Sequence, residues 1–311
     1  MTKAIELAGA EAFAARAADA ERLGKLPDET VATLIALGVP RMLMPKRWGG
    51  QERDLADVLA MASAFAHGCM STAWCAAIFA EHPWVLAHFD QAAQEEVWSG
   101  GPDVIVCMSI AASAQVSRAP AGFTLTGQWK FVSGCDHAQW FLLACSWDGA
   151  ERGEPKRGLM LVPRADLSID HASWQVTGLR ATGSKTVSVD GAFVPSHRAL
   201  DLTAGPAPGS TRDVPALFRQ PVGGTLGQAL AAVALGGAEA ALDLFRESAT
   251  RRVLHLQGQV QAADPAAQLD LAEATVRIES ARLLLQRDCE VVRALGQRPL
   301  PQARWRSPSC G

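Results

Sequence analysis

The seven cysteines, Cys69, Cys75, Cys107, Cys135, Cys145, Cys289 and Cys310, form no Cys-x-x-Cys pair and no Cys/His cluster with ligand spacing. That removes structural zinc and a redox dithiol from the candidate chemistries and leaves buried reduced thiols. No basic block is present, and the formal net charge is only −3. A phosphate-neutralising surface for nucleic acid is therefore not evident, and a small-molecule partner is favoured. Residues 1–7 lack a basic flank followed by an uninterrupted apolar run, and the apolar stretch 226–235 is too short to span a bilayer. The chain reads as cytoplasmic, with no membrane segment. No Gly-x-Gly-x-x-Gly fold for a nicotinamide and no internal repeat is visible. What the chain does have is 311 residues with 49% hydrophobic content, enough to bury the cores of more than one compact unit.

Three textures follow one another, and they divide the chain at 1–103, 104–209 and 210–311. The first is helical. Asp28 is expected to cap a helix through Val31, Leu34, Ile35 and Leu37 that Gly38 stops, and Leu55, Val58, Leu59, Ala62, Phe65 and Ala66 mark a helical pattern from Asp54 to Phe79 that buries one face. After Asp103 come short β-prone runs, Phe123 to Thr126, Phe141 to Leu143, Leu159 to Val162 and Thr186 to Val189, with Asp190-Gly191 as a tight-turn signal. Gly205-Pro206-Ala207-Pro208-Gly209 then breaks the chain. Beyond it, 222–248 reads as one long helix. A second starts at Asp264-Pro265, with a stripe of Leu271, Ile278, Ala281, Leu285, Cys289 and Val292, and fails at Gly296. Two such helices cannot hide both apolar faces without further helices or a partner chain. The class is α+β, and helix, strand, helix order excludes a doubly wound sheet.

The stretch 127–140 combines a strand-like run with small polar groups and the aromatics Trp129, Phe131 and Trp140, where a flat cofactor could lie. Trp129, Phe131 and Ser133 are two apart, so on a regular strand they share one face. Barrel core for the aromatics, and a bond to a neighbouring strand or turn for Ser133, are the plainer alternatives. His82, before Pro83, could be a cap, His137 core packing, and Arg251 and Arg252 a solvated face. Gly178 to Lys185 imitates a phosphate loop, but its lysine comes one residue late and a strand follows instead of a helix.

Four segments together resemble the acyl-CoA dehydrogenase fold and, within it, the flavin-dependent monooxygenases that serve as oxygenase components of two-component aromatic hydroxylases. They are Leu26-Pro27 through Pro45-Lys46-Arg47-Trp48-Gly49-Gly50, then Ser71-Thr72-Ala73-Trp74 with His82-Pro83-Trp84, then 127–140, and lastly Gly178 to Lys185 closing at Phe193-Val194-Pro195. The resemblance implies an N-terminal helical domain, a central β-barrel domain and a C-terminal helical bundle. In dehydrogenases of this fold the central strand carries a Trp-Ile-Thr-Asn-like run; Phe131 and Gly134 depart from it, while Ser133 keeps a hydroxyl.

By that resemblance Ser133 is the candidate donor to the central ring of reduced flavin, FMN or FAD, with O2 as co-substrate. A fixed donor and exclusion of water would slow peroxide loss. Trp129, Phe131 and Gly134 are cofactor-facing, and Ser109 in the segment 107–113 meets the pyrimidine edge. Met108, where relatives carry a hydroxyl, and Trp84 face the aromatic substrate. His82 contacts a phenol and, titrating near neutrality, could accept its proton. Arg252 meets flavin phosphate across a subunit boundary. The family also implies a homotetramer, a separate NAD(P)H-dependent flavin reductase and further bundle helices. Their absence, with the loss of periodicity into 303–307, motivates the expectation that the chain is truncated or reads out of frame from near Pro299 to Pro301. The competing readings are an acyl-CoA dehydrogenase, for which Glu239, Glu247 and Glu279 look like ordinary exposed helix positions rather than a base, and a non-catalytic remnant.

Overall fold

The computed structural model describes residues 3–148, 156–203, 214–254 and 258–298. The breaker at 205–209, the segment from Pro299 to Pro301 and Cys310 lie outside these. Helices α1 (Lys3–Leu23), α2 (Asp28–Ala36), α3 (Leu55–Ala66), α4 (Met70–Leu86) and α5 (Gln91–Trp98) come first. Asp28 is not the cap of α2 but its first residue, after Pro27, and its carboxylate stands 3.7 Å from His137 Nδ1. Asp54 does cap α3, accepting the Ala56 N–H at 3.1 Å. The continuous pattern expected from Asp54 to Phe79 breaks at residues 67–69. There Gly68 lies so close to α1 that a Cβ would sit 2.0 Å from the Ala10 carbonyl oxygen, so the chain turns where α1 crosses. After the break α4 is buried on nearly every side rather than on one face, because its alanines, serine and cysteine let neighbours approach closely.

Two four-stranded sheets follow. One has the order β1 (Val106–Ser109), β4 (Trp140–Trp147), β5 (Lys156–Pro163), β8 (Ala199–Asp201), with β1 and β4 parallel. The other is antiparallel throughout, in the order β2 (Ala111–Ala119), β3 (Gly122–Val132), β7 (Lys185–Pro195), β6 (Ser168–Asp170). The expected barrel is thus a pair of separate sheets facing each other. Trp129 of β3 donates Nε1–H to the Ala144 carbonyl of β4 at 2.7 Å, and Phe123 packs on Trp147 with ring centroids 5.8 Å apart. The four β-prone runs lie in β3, β4, β5 and β7. Asp190-Gly191 is not a hairpin turn: β7 continues through it, the register against β3 shifts there, and Thr126 Oγ1 accepts the Gly191 N–H.

The helix expected over 222–248 splits into α6 (Val222–Thr225) and α7 (Gln228–Ala249) at Gly227, whose φ is 93°. A short hairpin, β9 (Val253–Leu254) and β10 (Gln259–Val260), leads to α8 (Pro265–Gln297), which Asp264 precedes as expected. Of the expected stripe only Cys289 and Val292 are buried; Leu271, Ile278 and Leu285 are half-buried and Ala281 is exposed. The helix also runs on through Gly296, which packs on the Ala216 carbonyl. Leu269, Val276, Leu283 and Val291 leave one face of α8 bare. The span Val222–Ala249, α6 and α7 together, is long and apolar enough to cross a membrane by length and composition, and here α7 packs along α3 and α4.

Candidate functional site

At the end of β3 the strand does not keep one face. Phe131 has φ +59°, a left-handed conformation costly for a bulky residue, and the register against β7 shifts between Trp129 and Val132. The Ser133 N–H then donates to the Phe131 carbonyl at 3.1 Å, a tight turn over Val132. Gly134 follows with φ +71°, and a Cβ there would stand 2.6 Å from the Phe79 ring. This twist overturns the shared-face expectation. Trp129 is wholly enclosed, with its N–H spent on Ala144, so it belongs to the core between the sheets and has no free face for a cofactor. Phe131 points outward instead, 64% exposed, with Trp174 edge-on at 6.5 Å. Gly134 donates its N–H to the Thr182 carbonyl at 2.8 Å.

Ser133, by contrast, is buried within a chain of hydroxyls. Trp74 Nε1–H donates to Ser133 Oγ at 3.1 Å. Ser133 Oγ lies 2.7 Å from Ser184 Oγ, which lies 2.7 Å from Thr182 Oγ1, and Thr182 donates to the Leu179 carbonyl at 2.9 Å. Two positions around Ser133 Oγ are thus taken, and in its contact with Ser184 either hydroxyl can be the donor. Three thiols, whose pKa values burial pushes up, donate to carbonyls of the same loops: Cys107 to Ser133 at 3.0 Å, Cys135 to Gly183 at 3.4 Å and Cys75 to Thr182 at 3.7 Å. Lys185, the lysine of the imitation phosphate loop, is spent on Asp136, with both carboxylate oxygens at 2.6 Å. That buried pair ties the turn after β3 to the start of β7.

Ser109 donates its hydroxyl to the Lys130 carbonyl at 2.6 Å and accepts the Ala111 N–H at 3.2 Å, fixing the passage from β1 to β2. Met108 beside it is half-buried. His82 lies behind β1. Its Nδ1–H donates to the Val106 carbonyl at 3.0 Å, which leaves Nε2 as the ring's acceptor. Burial pushes its pKa down to about 4, so it does not titrate near neutrality as expected. Trp84 is fully enclosed, donates Nε1–H to the Leu217 carbonyl at 2.9 Å and meets His88 edge-on. It staples α4 to residues 216–219 and offers no substrate-facing surface. His137 is a staple as well, with Nε2 3.1 Å from the Leu26 carbonyl. Arg252 is exposed past the end of α7. Gly237 of α7 touches Met70 at the start of α4, so Arg252 lies at least about 18 Å further along the axis and does not join the others within this chain.

A cavity of about 590 Å³ opens between α3, α7 and α8, lined by residues including Leu59, Leu235, Glu239, Arg282, Leu285 and Cys289. None of the expected site residues borders it. The three glutamates weighed as bases are held in ion pairs: Glu239 with Arg282, and also 3.3 Å from His67 Nε2, Glu247 with Arg251, Glu279 with Arg282. Glu239 is also largely buried rather than an ordinary exposed position. Among the described residues no group of three or more His, Cys, Asp or Glu could hold a metal. The sequence reading missed the joining of Trp74, Ser184 and Thr182 to Ser133. The available signal was that the motif segments 71–74, 127–140 and 178–185 each carried hydrogen-bonding side chains with no assigned partner.

Residues 3–101 match the model of the acyl-CoA dehydrogenase N-terminal domain, and residues 228–306 that of the acyl-CoA dehydrogenase C-terminal domain. The chain is 33% identical over 296 residues to the FADH(2)-dependent resorcinol hydroxylase, oxygenase component, of Rhizobium sp. (strain MTP-10005), covering 93% of this chain and 72% of that protein. It is 36% identical over 271 residues to the flavin-dependent monooxygenase, oxygenase subunit HsaA, of Rhodococcus jostii (strain RHA1), covering 86% and 70%. Among solved structures, 3-HSA hydroxylase from Rhodococcus sp. RHA1 superposes with a TM-score of 0.85 at 34% identity, over 93% of this chain and 74% of that one. XiaF from Streptomyces sp. in complex with FADH2 and glycerol also gives 0.85, at 29% identity and the same coverage.

Proposed function

We propose, since the chain belongs to the acyl-CoA dehydrogenase family, that it is the oxygenase component of a two-component flavin-dependent monooxygenase and hydroxylates an aromatic, phenolic small molecule. The observation that carries this is the end of β3, where a strained Phe131 presents a bare ring to solvent two residues before the buried Ser133 hydroxyl chain. A flat aromatic cofactor fits that arrangement. Phe131 would lie against its ring system, and Ser133 would meet its central nitrogen. The unused lone pair of Ser109 and Met108 stand nearby on β1. Reduced flavin, FMN or FAD, supplies the electrons that activate O2 for transfer of one oxygen atom. A separate NAD(P)H-dependent reductase delivers it, because no nicotinamide motif occurs in this chain.

Among the chain's own residues, His82 holds the phenol. With a pKa of about 4 its imidazole stays neutral through the physiological range. Nε2 therefore receives the phenol O–H as a hydrogen bond and orients the ring, without taking the proton outright. The hydrogen-bonded thiols and the Asp136–Lys185 bridge keep the surrounding loops dry and fixed. A homotetramer in which Arg252 reaches a neighbour's flavin phosphate, and a cytoplasmic location, complete the reading. Anaerobic titration with reduced FMN and FAD, then mixing with oxygenated buffer and a panel of phenols and indoles, tests it by the ratio of hydroxylated product to hydrogen peroxide. Absence of flavin binding, or peroxide alone with every substrate, would refute it.

A further inference from the structure

The hydroxyls beside β3 have a direction. Four contacts link five groups in the order Trp74 Nε1, Ser133 Oγ, Ser184 Oγ, Thr182 Oγ1 and the Leu179 carbonyl oxygen. Four protons are available, one on the indole and one on each hydroxyl, and the indole only donates while the carbonyl only accepts. One arrangement alone puts a proton in every contact. In it Trp74 donates to Ser133, Ser133 to Ser184, Ser184 to Thr182 and Thr182 to Leu179. Reversing the run would leave Thr182 Oγ1 and the Leu179 oxygen, which would keep only the Thr182 N–H, 2.9 Å apart with no proton between them, a part-buried repulsion with a lost bond. Among the described residues the hydroxyls of Ser133, Ser184 and Thr182 meet no other carbonyl than that of Leu179. Ser133 therefore has its proton committed inward and one lone pair left.

The two redox states of an isoalloxazine differ at the central-ring nitrogen. Reduced flavin carries an N–H there, whereas oxidised flavin presents a bare lone pair. An acceptor-only Ser133 pairs with the first and opposes the second. We propose that Ser184 and Thr182 act as positioning residues that hold Ser133 as a hydrogen-bond acceptor and so make the site prefer reduced over oxidised flavin. The inference rests on the reading of Phe131 and Ser133 as the cofactor-facing surface. It gives the chain a means of taking flavin from a reductase and letting it go once reoxidised, with no change of shape.

Ser184→Ala frees the Ser133 proton to point outward. The near-isosteric Thr182→Val removes Ser184's acceptor, so that Ser184 can donate to Ser133, with the same result; it serves should Ser184→Ala not fold. Dissociation constants for oxidised and reduced FMN and FAD, measured anaerobically by fluorescence and absorbance, give a ratio that needs no turnover. Wild type should favour the reduced form, and either variant should lower that ratio roughly tenfold, the weight of about one hydrogen bond. An unchanged ratio in the folded variants overturns the inference. Ser133→Ala in the same titration separates the two claims: a shifted ratio keeps Ser133 at the cofactor though the chain of hydroxyls does not govern it, while an unshifted ratio removes Ser133 from the cofactor as well. A wild type that binds neither form overturns both.

Discussion

Glu81 and His82 are neighbours on α4, both buried, and burial moves their pKa values in opposite directions. Glu81 rises from the usual 4.5 to about 8, because its carboxyl loses water and the backbone amides of Gly227 and Ala229 restore only part of the loss. Its Oε1 has no hydrogen-bond partner among the described residues. His82 falls from 6.5 to about 4. For Glu81 the folded state holds the proton more tightly than the unfolded chain, so its stabilising contribution is complete below pH 4.5 and is lost as pH climbs to about 8. For His82 the unfolded chain binds the proton more tightly, so stability is lost as pH falls from 6.5 towards 4. Between 4.5 and 6.5 the two slopes oppose each other. From 6.5 to 8 Glu81 acts alone of the pair, and at about 1.4 kcal/mol per pH unit the decline should be about 2 kcal/mol. Glu81→Gln keeps the shape and a neutral, hydrogen-bonding end, so it should remove that decline. Urea unfolding at half-unit steps from pH 5 to 8.5 measures it. A wild-type stability that is flat or rising from 6.5 to 8, or an equal decline in Glu81→Gln, would refute the assignment of Glu81 as a buried neutral acid.

Three further outcomes follow from the site. In a pH profile of kcat/KM for a phenol, no inflection belonging to His82 should appear between pH 5.5 and 8, and an inflection near 6.5 that His82→Asn abolishes would contradict its burial. Phe131→Ala should weaken flavin binding while leaving the urea midpoint nearly unchanged, since the ring is mostly exposed; Trp129→Phe should do the reverse, costing about 1–3 kcal/mol through the orphaned Ala144 carbonyl and the space left by the lost ring, with flavin affinity retained. Lys185→Met leaves the buried Asp136 carboxylate with only the exposed His171 ring 3.4 Å away, so it should lower stability by about 3–5 kcal/mol, and adding Asp136→Leu should restore much of it. A double variant no more stable than Lys185→Met would argue that the pair is not what joins those two loops.

The architecture was legible because it depends on period and punctuation. Apolar residues recur at helical spacing in 54–66, the β-prone runs are separated by Gly, Pro and Asp, and Asp264-Pro265 starts α8 at the expected residue. The site was legible only as a set of segments. The inference that Trp129, Phe131 and Ser133 share a face requires regular alternation, and the chain gives that up where Phe131 takes a left-handed φ. A one-residue slip of this kind exchanges the two sides of a strand, which is why the enclosed aromatic and the exposed one were placed together. Nothing local in Lys130-Phe131-Val132 announces the slip, since phenylalanine is a poor candidate for that conformation; it is enforced from outside by Gly134 against Phe79 and by the Asp136–Lys185 pair. The hydroxyl polarity was hidden for a related reason. Whether Ser133 donates or accepts is decided at Leu179, 46 residues away in sequence and at the far end of two other side chains. A serine's residue type supplies both roles, and only the closed count of protons along the chain selects one.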